Sequence, residues 1–389
     1  MNAPNGQDIF TIIQKICSIG PRWMGTEGAG RAVKFITSEF KNSGLNVEHQ
    51  AFRYLSYSPG KASLVVKGQS LACEPIALSQ STTAVLTAPL VYGGQCQPKD
   101  LEALKSKGIE PCGSIVLSEN LRSFVAYPHV QTAGAAGFVS LTNLPGNSIR
   151  CGCARLDREP GKIPAVAIGG DDGRALVKEL EDGGRLEASL EVEGQVEEKE
   201  GYNVIGRKGD TGADRVLVSA HYDSFWNGVH AMDNAAGAAT VIALSRHLTE
   251  PIGSALEFIV FGGEELGFWG SSSYVETFHS SLNKIKAIVN LDTFGSNRSK
   301  VEIGATQDMI DLCRTVADER HVAVDCWNAP PRAASDQHSF VEKGVPAIWL
   351  ANCGADQRYH TPLDVPAEMS PENIGRVADL AYALIRKLI

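Results

Sequence analysis

The sequence predicts an α/β fold: a mainly parallel mixed sheet flanked by helices, carrying an inserted, smaller, β-rich α/β domain. Two observations lead there. After Tyr202, long apolar runs alternate with helix-length amphipathic segments, the pattern of parallel strands covered on both faces. Between about Tyr57 and Glu198 the texture changes to short apolar runs broken by turn residues, which fits a domain inserted into a larger one. On that reading residues 1–56 and 199–389 form one discontinuous domain and residues 57–198 the insertion.

Each element has a local reason. Ile9, Ile12, Ile13 and Ile16 recur at helical spacing until SIGPRWMGTEGAG interrupts them. A second helix places Val33, Ile36 and Phe40 on one face and stops at Gly44. Leu45 to Arg53 reads as a strand. In the insertion, ASLVV, TAVLTAPLVY, SIVLS, GFVSL and AVAIGG read as short strands, with helices near Leu101–Lys107 and Asp172–Glu181 and the acidic stretch GQVEEKEG closing the block. RVLVSAHYD, ALEFIVFGGEE, IKAIVNLD and VPAIWLAN then read as buried strands, with DNAAGAATVIALSRHL a helix between the first two. A final helix from about Pro371 aligns Ile374, Val377, Ala381, Leu384 and Leu388 for packing on the sheet.

Composition narrows the function. With 389 residues, 43% of them hydrophobic, the chain can bury a large core. A net charge of −9 without a Lys/Arg run argues against binding nucleic acid or an anionic membrane. No apolar run reaches the ~20 residues that span a bilayer, and MNAPNGQDIFTIIQKI lacks signal-peptide features, so the expected location is cytoplasmic. Nine scattered cysteines read as reduced structural thiols. Only Cys151 and Cys153 lie close together, and they offer weak grounds for a disulfide or an accessory metal site. Nothing in the sequence fixes an oligomeric state.

The chemistry lies at predicted strand ends, where open α/β sheets bind their ligands. His221 and Asp223 end RVLVSAHYD and point the same way in extended backbone. His221 is a candidate metal ligand, and Asp223 a candidate acceptor for its second ring nitrogen; taken alone, HxD reads equally as a surface loop. Asp233 in MDNAAG can bridge two cations through its two oxygens, or simply cap a helix. Glu264 and Glu265, adjacent after an apolar strand, would repel each other in a dry site unless cations compensate; a solvated acidic turn is the bland alternative. Asp292 and His360 complete five candidate ligands in chain order. Tyr359 could donate its O–H to a developing oxyanion, or pack under its loop. Hard oxygens with two imidazoles suit a pair of Zn²⁺ ions and also admit Co²⁺ or Mn²⁺, and an unligated carboxylate beside them can act as general base. Metal-assisted hydrolysis, of a peptide bond above all, is the implied chemistry.

The order HYD, MDN, GGEEL, NLD, YHTPLD resembles the M28 family of zinc exopeptidases, the aminopeptidase and glutamate-carboxypeptidase group. GPRWMGTEG resembles that family's opening loop, and SDQHSFVEKGVPAI its SDHxxF stretch, with Gln337 standing at the histidine position. GSIVLSEN, AGAAGFV and IPAVAIGGDDGRAL resemble a protease-associated (PA) domain. The resemblance implies that His221, Asp233 and Asp292 hold one zinc and Asp233, Glu265 and His360 the other, with Glu264 as general base. It places Tyr359 where some members polarise the scissile carbonyl. His338 is expected at the surface, outside the ligand set, and His230, His247, His279 and His321 in structural or solvent-facing roles.

The expected function is thus an aminopeptidase acting on short peptides. A carboxypeptidase or dipeptidase would use the same metals, a glutaminyl-cyclase-like transferase a single zinc, and an inactive peptidase-like binding protein would have lost a ligand or the base. The insertion is expected to overhang the strand ends and restrict access to the cleft.

Overall fold

The computed structural model describes residues 2–210, 212–248, 255–328, 335–352, 356 and 358–389. The chain opens with two amphipathic helices, α1 (Gly6–Cys17) and α2 (Glu27–Asn42), capped by the side chains of Asn5 and Thr26. It then enters strand β1 (Asn46–Val66) and the short strands β2 (Gln69–Leu71), β3 (Cys73–Pro75) and β4 (Leu86–Tyr92). Helix α3 (Pro98–Ser106), β5 (Ile115–Ser118), α4 (Ser123–Thr132), β6 (Gly137–Leu141), β7 (Ala165–Ile168) and α5 (Gly170–Glu181) follow. The second half runs β8 (Leu186–Lys208), β9 (Arg215–His221), α6 (Ala236–His247), β10 (Ala255–Phe261), α7 (Trp269–Thr277) and β11 (Ile285–Leu291). It ends with β12 (Val301–Ala305), α8 (Ile310–Glu319), β13 (Val324–Asn328), α9 (Gln337–Val341), β14 (Ala347–Ala351) and α10 (Pro371–Leu388).

The α/β architecture is the expected one. Strands β13-β12-β14-β11-β9-β10-β8 lie side by side, with β9, β10, β11 and β14 parallel to their neighbours within that group and β8 and the β12–β14 pairing antiparallel. Alternation along each strand feeds two cores. Val216, Val218, Leu256, Phe258 and Val260 face the core built with α1, α2, α6 and α10. Leu217, Ile259 and Phe261 face the opposite core with Tyr274, Val275 and Phe340 of α7 and α9. Both faces are covered, which is why these strands read as unbroken apolar runs.

The expected boundaries at residues 57 and 199 fall inside β1 and β8, not in linkers. These two strands pair antiparallel from Asn46–Arg207 to Val66–Ala188, with an irregularity between Pro59 and Ala62. One end of β8 pairs with β10 and the other with β4. The acidic stretch GQVEEKEG is therefore the solvated middle of a ladder, not a closing loop. Its glutamates have low strand propensity, and pairing with β1 overrides it. Residues of the insertion build two small cores of their own on β4–β7. Helix α4 escaped the sequence reading because Pro128 lies inside it and its apolar residues form no clean stripe. Among the described residues, no helix is long and apolar enough to cross a membrane. The eight described cysteines are free thiols, Cys151 and Cys153 buried among them; Cys353 lies outside the described residues.

Phe258 in central strand β10 is fully buried and packs towards Phe40 of α2, with ring centroids 6.5 Å apart. Phe258→Ala is expected to lower stability by about 3–5 kcal/mol through the cavity it leaves. Thermal unfolding checks this, and an unchanged Tm would contradict the packing.

Candidate metal centre

His221 is the last residue of β9 and fully buried. Its Nδ1 lies 3.1 Å from the backbone carbonyl of Asp223, which can only accept, so Nδ1 carries a proton and Nε2 is the nitrogen that would ligate a metal. That Nε2 lies 3.2 Å from Asp233 Oδ1, 3.2 Å from Asp292 Oδ1 and 4.0 Å from Glu264 Oε2. Asp292 directly follows β11, and its Oδ1 also accepts from the Thr293 hydroxyl at 2.9 Å.

Asp233 does not sit in the first turn of a helix. Its backbone is extended (φ −122, ψ 90) in the irregular segment Ala231–Ala235 before α6, and its two carboxylate oxygens face His221 and His360, not a helix N–H. The Asp364 carboxylate accepts from the N–H groups of Met232 (2.8 Å) and Asp233 (3.1 Å). Asn234 donates to the carbonyl of Leu291 at 2.9 Å and accepts from the N–H of Gly237 at 2.8 Å, tying this turn to the end of β11. A Cβ at Gly237 would stand 2.3 Å from that same Leu291 carbonyl, which accounts for the glycine in the run AAGA.

Glu264 and Glu265 follow β10. Their N–H groups donate to the two carboxylate oxygens of Asp223 at 3.3 and 3.2 Å. Asp223 thus differs from its expected part: its carbonyl holds His221, while its carboxylate, 3.6 Å from His221 Nδ1, holds the backbone of both glutamates. Glu265 Oε2 lies 3.1 Å from His360 Nε2, which lies 3.0 Å from Asp233 Oδ2. His360, at φ 61, rests on the Phe225 ring with centroids 4.6 Å apart. The Tyr359 ring lies under the Arg150 guanidinium at 4.1 Å and edge-on to His360.

Two triads result: His221, Asp233 and Asp292, and Asp233, Glu265 and His360, each offering ligand atoms within 4.8 Å of one another. The nitrogen and oxygen donors fit zinc. Glu265 Oε1 is buried with no hydrogen-bond partner, a lone pair that a cation would satisfy, so the residues fit a pair of cations. Glu264 belongs to neither triad.

Three residues that shape this site were not singled out in the sequence as site residues. Arg22, from GPRWMG, is fully buried and donates to the carbonyls of Tyr222 (2.8 Å), Val229 (2.6 Å) and His230 (3.1 Å). It pins the segments leading to Asp223 and Asp233; its signals in the sequence were an arginine in an apolar Gly/Pro loop and the likeness of GPRWMGTEG to the family's opening loop. The others are Asp364 and Asp336, both buried. His338 is not at the surface: it is partly buried, 3.4 Å from Glu342 and packed on Phe268. Gln337 accepts from Asn290 of β11 at 2.9 Å. His230 is fully buried with Nε2 3.0 Å from Asn227 Oδ1.

Burial and like charge set the electrostatics. Burial pushes the Glu264 carboxyl well above its usual range, with Asp292, Glu265 and Asp336 adding to the effect. Burial likewise moves Glu265 up to about 7, against the pull of His360, and Asp364 up to about 7 and Asp336 to about 8. Burial opposes charging His221 and His360, yet the surrounding carboxylates outweigh it and raise both. Asp233 is depressed: burial opposes this, but the two imidazoles prevail.

A pH dependence follows for the protein after chelation. Groups raised in the folded state stabilise it fully below their unfolded pKa, and that stability is lost as pH rises through the folded values. Asp233 acts in the opposite sense in a window below about pH 4. So does His230, which burial lowers from 6.5 to about 3, but the raised Glu264, Glu265, Asp336, Asp364, His221 and His360 outnumber them. The chelated protein is therefore expected to melt at a lower temperature at pH 8 than at pH 5. Zinc, which needs deprotonated ligands, should widen the gap between loaded and chelated protein over the same range. Melting curves with and without chelator test this, and a chelated Tm that climbs with pH would refute it.

Residues 203–385 match the profile of peptidase family M28. Over 397 aligned residues the chain is 28% identical to Aminopeptidase YwaD of Bacillus subtilis (strain 168), covering 97% of this chain and 84% of the relative. The solved structure of BSAP, a zinc aminopeptidase from Bacillus subtilis, superposes with a TM-score of 0.78 at 25% identity, covering 100% of this chain and 96% of that one. A Peptidase M28 precursor from Shewanella amazonensis SB2B shares the fold with a TM-score of 0.82 at 22% identity, over 98% of this chain and 93% of that one. The match to peptidase family M28 spans the part of the chain that carries all five candidate ligands.

Proposed function

We propose that this chain is a two-zinc aminopeptidase that removes N-terminal residues from short peptides. One observation carries the reading: Asp233 turns one carboxylate oxygen to His221 and the other to His360, so two ligand triads share it, with Glu264 alongside. His221, Asp233 and Asp292 would hold one ion, and Asp233, Glu265 and His360 the other. Bound there, a zinc pair supplies Lewis acidity that lowers the pKa of water and polarises a carbonyl oxygen.

The protein's own groups do the rest. Glu264 takes the proton of the attacking water on its carboxylate and delivers it to the leaving amine. Burial raises its proton affinity, which suits a group that must accept and then release a proton near neutral pH. Asp223 fixes the backbone of both glutamates and the tautomer of His221. Tyr359 is assigned the donor to the oxyanion that develops on the scissile carbonyl. The aminopeptidase polarity is supported by the names of the relatives, YwaD and BSAP. Retention of all five ligand types and of Glu264 speaks against an inactive binding protein.

Glu264→Gln is expected to cut kcat by roughly 10²–10⁴-fold, the usual worth of a general base, while zinc content stays at the wild-type level. Peptidase activity unchanged by the substitution would remove Glu264 from its role. A hydrolysis panel settles the polarity: aminoacyl-anilides should be cleaved and N-blocked dipeptides spared. Activity on blocked substrates alone would make the enzyme a carboxypeptidase, and one tightly bound zinc per chain would favour a cyclase-like transferase.

A further inference from the structure

The two triads are not held alike. His221 ends β9 and Asp292 directly follows β11, two adjacent central strands. The ligands exclusive to the other triad sit on loops: Glu265 four residues past the end of β10, and His360 nine residues past the end of β14. Ligands on strands inherit the precision of the sheet, whereas ligands on loops need outside support.

That support reaches both loops from one segment of the insertion, residues 149–158. The N–H of Cys151 donates to the backbone carbonyl of His360 at 2.9 Å. The Asn227 side-chain amide donates to that same carbonyl at 3.0 Å and to the carbonyl of Ile149 at 3.1 Å, joining the segment to the His360 loop. At its other end, Arg158 donates through Nε to the carbonyl of Gly267 at 3.2 Å, bonds the Ser272 hydroxyl and stacks over Trp269 at 5.1 Å. Leu156 backs the same turn so closely that a Cβ at Gly267 would stand 2.7 Å from its carbonyl oxygen.

We infer that residues 149–158 of the insertion are a brace that positions Glu265 and His360, so that the insertion sets the metal affinity of the Asp233/Glu265/His360 site and not that of the His221/Asp233/Asp292 site. Arg158 and Asn227 are its positioning residues. The inference rests on the two-ion reading above. It also gives the insertion a part in building the metal centre, beyond any effect on access to the cleft.

The test is metal titration of the full chain. Zinc stoichiometry is measured after dialysis against a graded chelator, with Co²⁺ absorption as the signature of each site, assigned from His360→Ala and His221→Ala. Wild type should hold two ions. Arg158→Ala should weaken the site that His360→Ala destroys by roughly 10–100-fold, the usual cost of losing an outer-shell partner, and leave the other unchanged. Arg158→Lys, which keeps the charge without the guanidinium fork, should fall between. Asn227→Ala should act in the same direction and carries the test if Arg158→Ala does not fold. A wild type holding fewer than two ions would overturn the two-ion reading itself. Two ions in wild type, with both affinities unchanged in the variants or both weakened equally, would overturn the brace alone.

Discussion

Four acidic side chains and two imidazoles are taken out of water at one edge of this sheet, and that crowding governs the rest of the site. Asp233, Glu264, Glu265 and Asp292 are all nearly inaccessible, and His221 is fully so. Carboxylates this close in a dry setting cannot all be ionised without compensating positive charge. Protons on the imidazoles and on some carboxyls can supply it, as the raised pKa values of His221, His360 and Glu265 indicate. Divalent cations supply it better, because they satisfy lone pairs such as that of Glu265 Oε1 as well as charge. The same crowding explains why so much surrounding structure consists of hydrogen bonds to ligand backbones. Asp223, Asp364 and Arg22 each fix peptide groups next to a ligand and leave its donor atoms free.

The fold meets this demand through two different supports. Central strands deliver His221 and Asp292 directly, since β9 and β11 are adjacent and end at the same edge. Glu265 and His360 arrive on loops, and the insertion leans on both. Its position is fixed by the β1–β8 ladder, whose ends belong to the two halves of the sheet. A long antiparallel ribbon is a stiffer connection than a pair of linkers, because residues along nearly its whole length are tied across the strands. The insertion can therefore hold a defined contact with loops that lie far away in sequence.

How much of this was legible beforehand varied by residue. Phe258, Val260 and their neighbours declared a buried parallel strand through apolar continuity alone. The ligand types were visible in HYD, MDN, GGEEL, NLD and YHTPLD, since few other patterns place acids and imidazoles after apolar runs. Asp233 was ambiguous by itself: an Asp before a small-residue helix also looks like a cap, and only the approach of its two oxygens to His221 and His360 separates the readings. The GQVEEKEG ladder was invisible, because its glutamates face solvent and the pairing that makes it a strand comes from residues over a hundred positions away. Arg22 and Asp364 were equally hidden, as each acts through backbone groups of segments remote in the chain.

The sequence by itself determined the fold class, the five candidate ligands with their acid neighbour, and the hydrolytic chemistry they imply. Those follow from side-chain chemistry and from periodicities that every short segment carries within itself. Tertiary structure decided the dual service of Asp223, the hold of Arg22 and Asp364 on neighbouring peptide groups and the reach of residues 149–158 to both candidate ligand loops. Each of these is a distance between groups separated by tens to hundreds of residues, and such distances exist only once the sheet has brought its strand ends together.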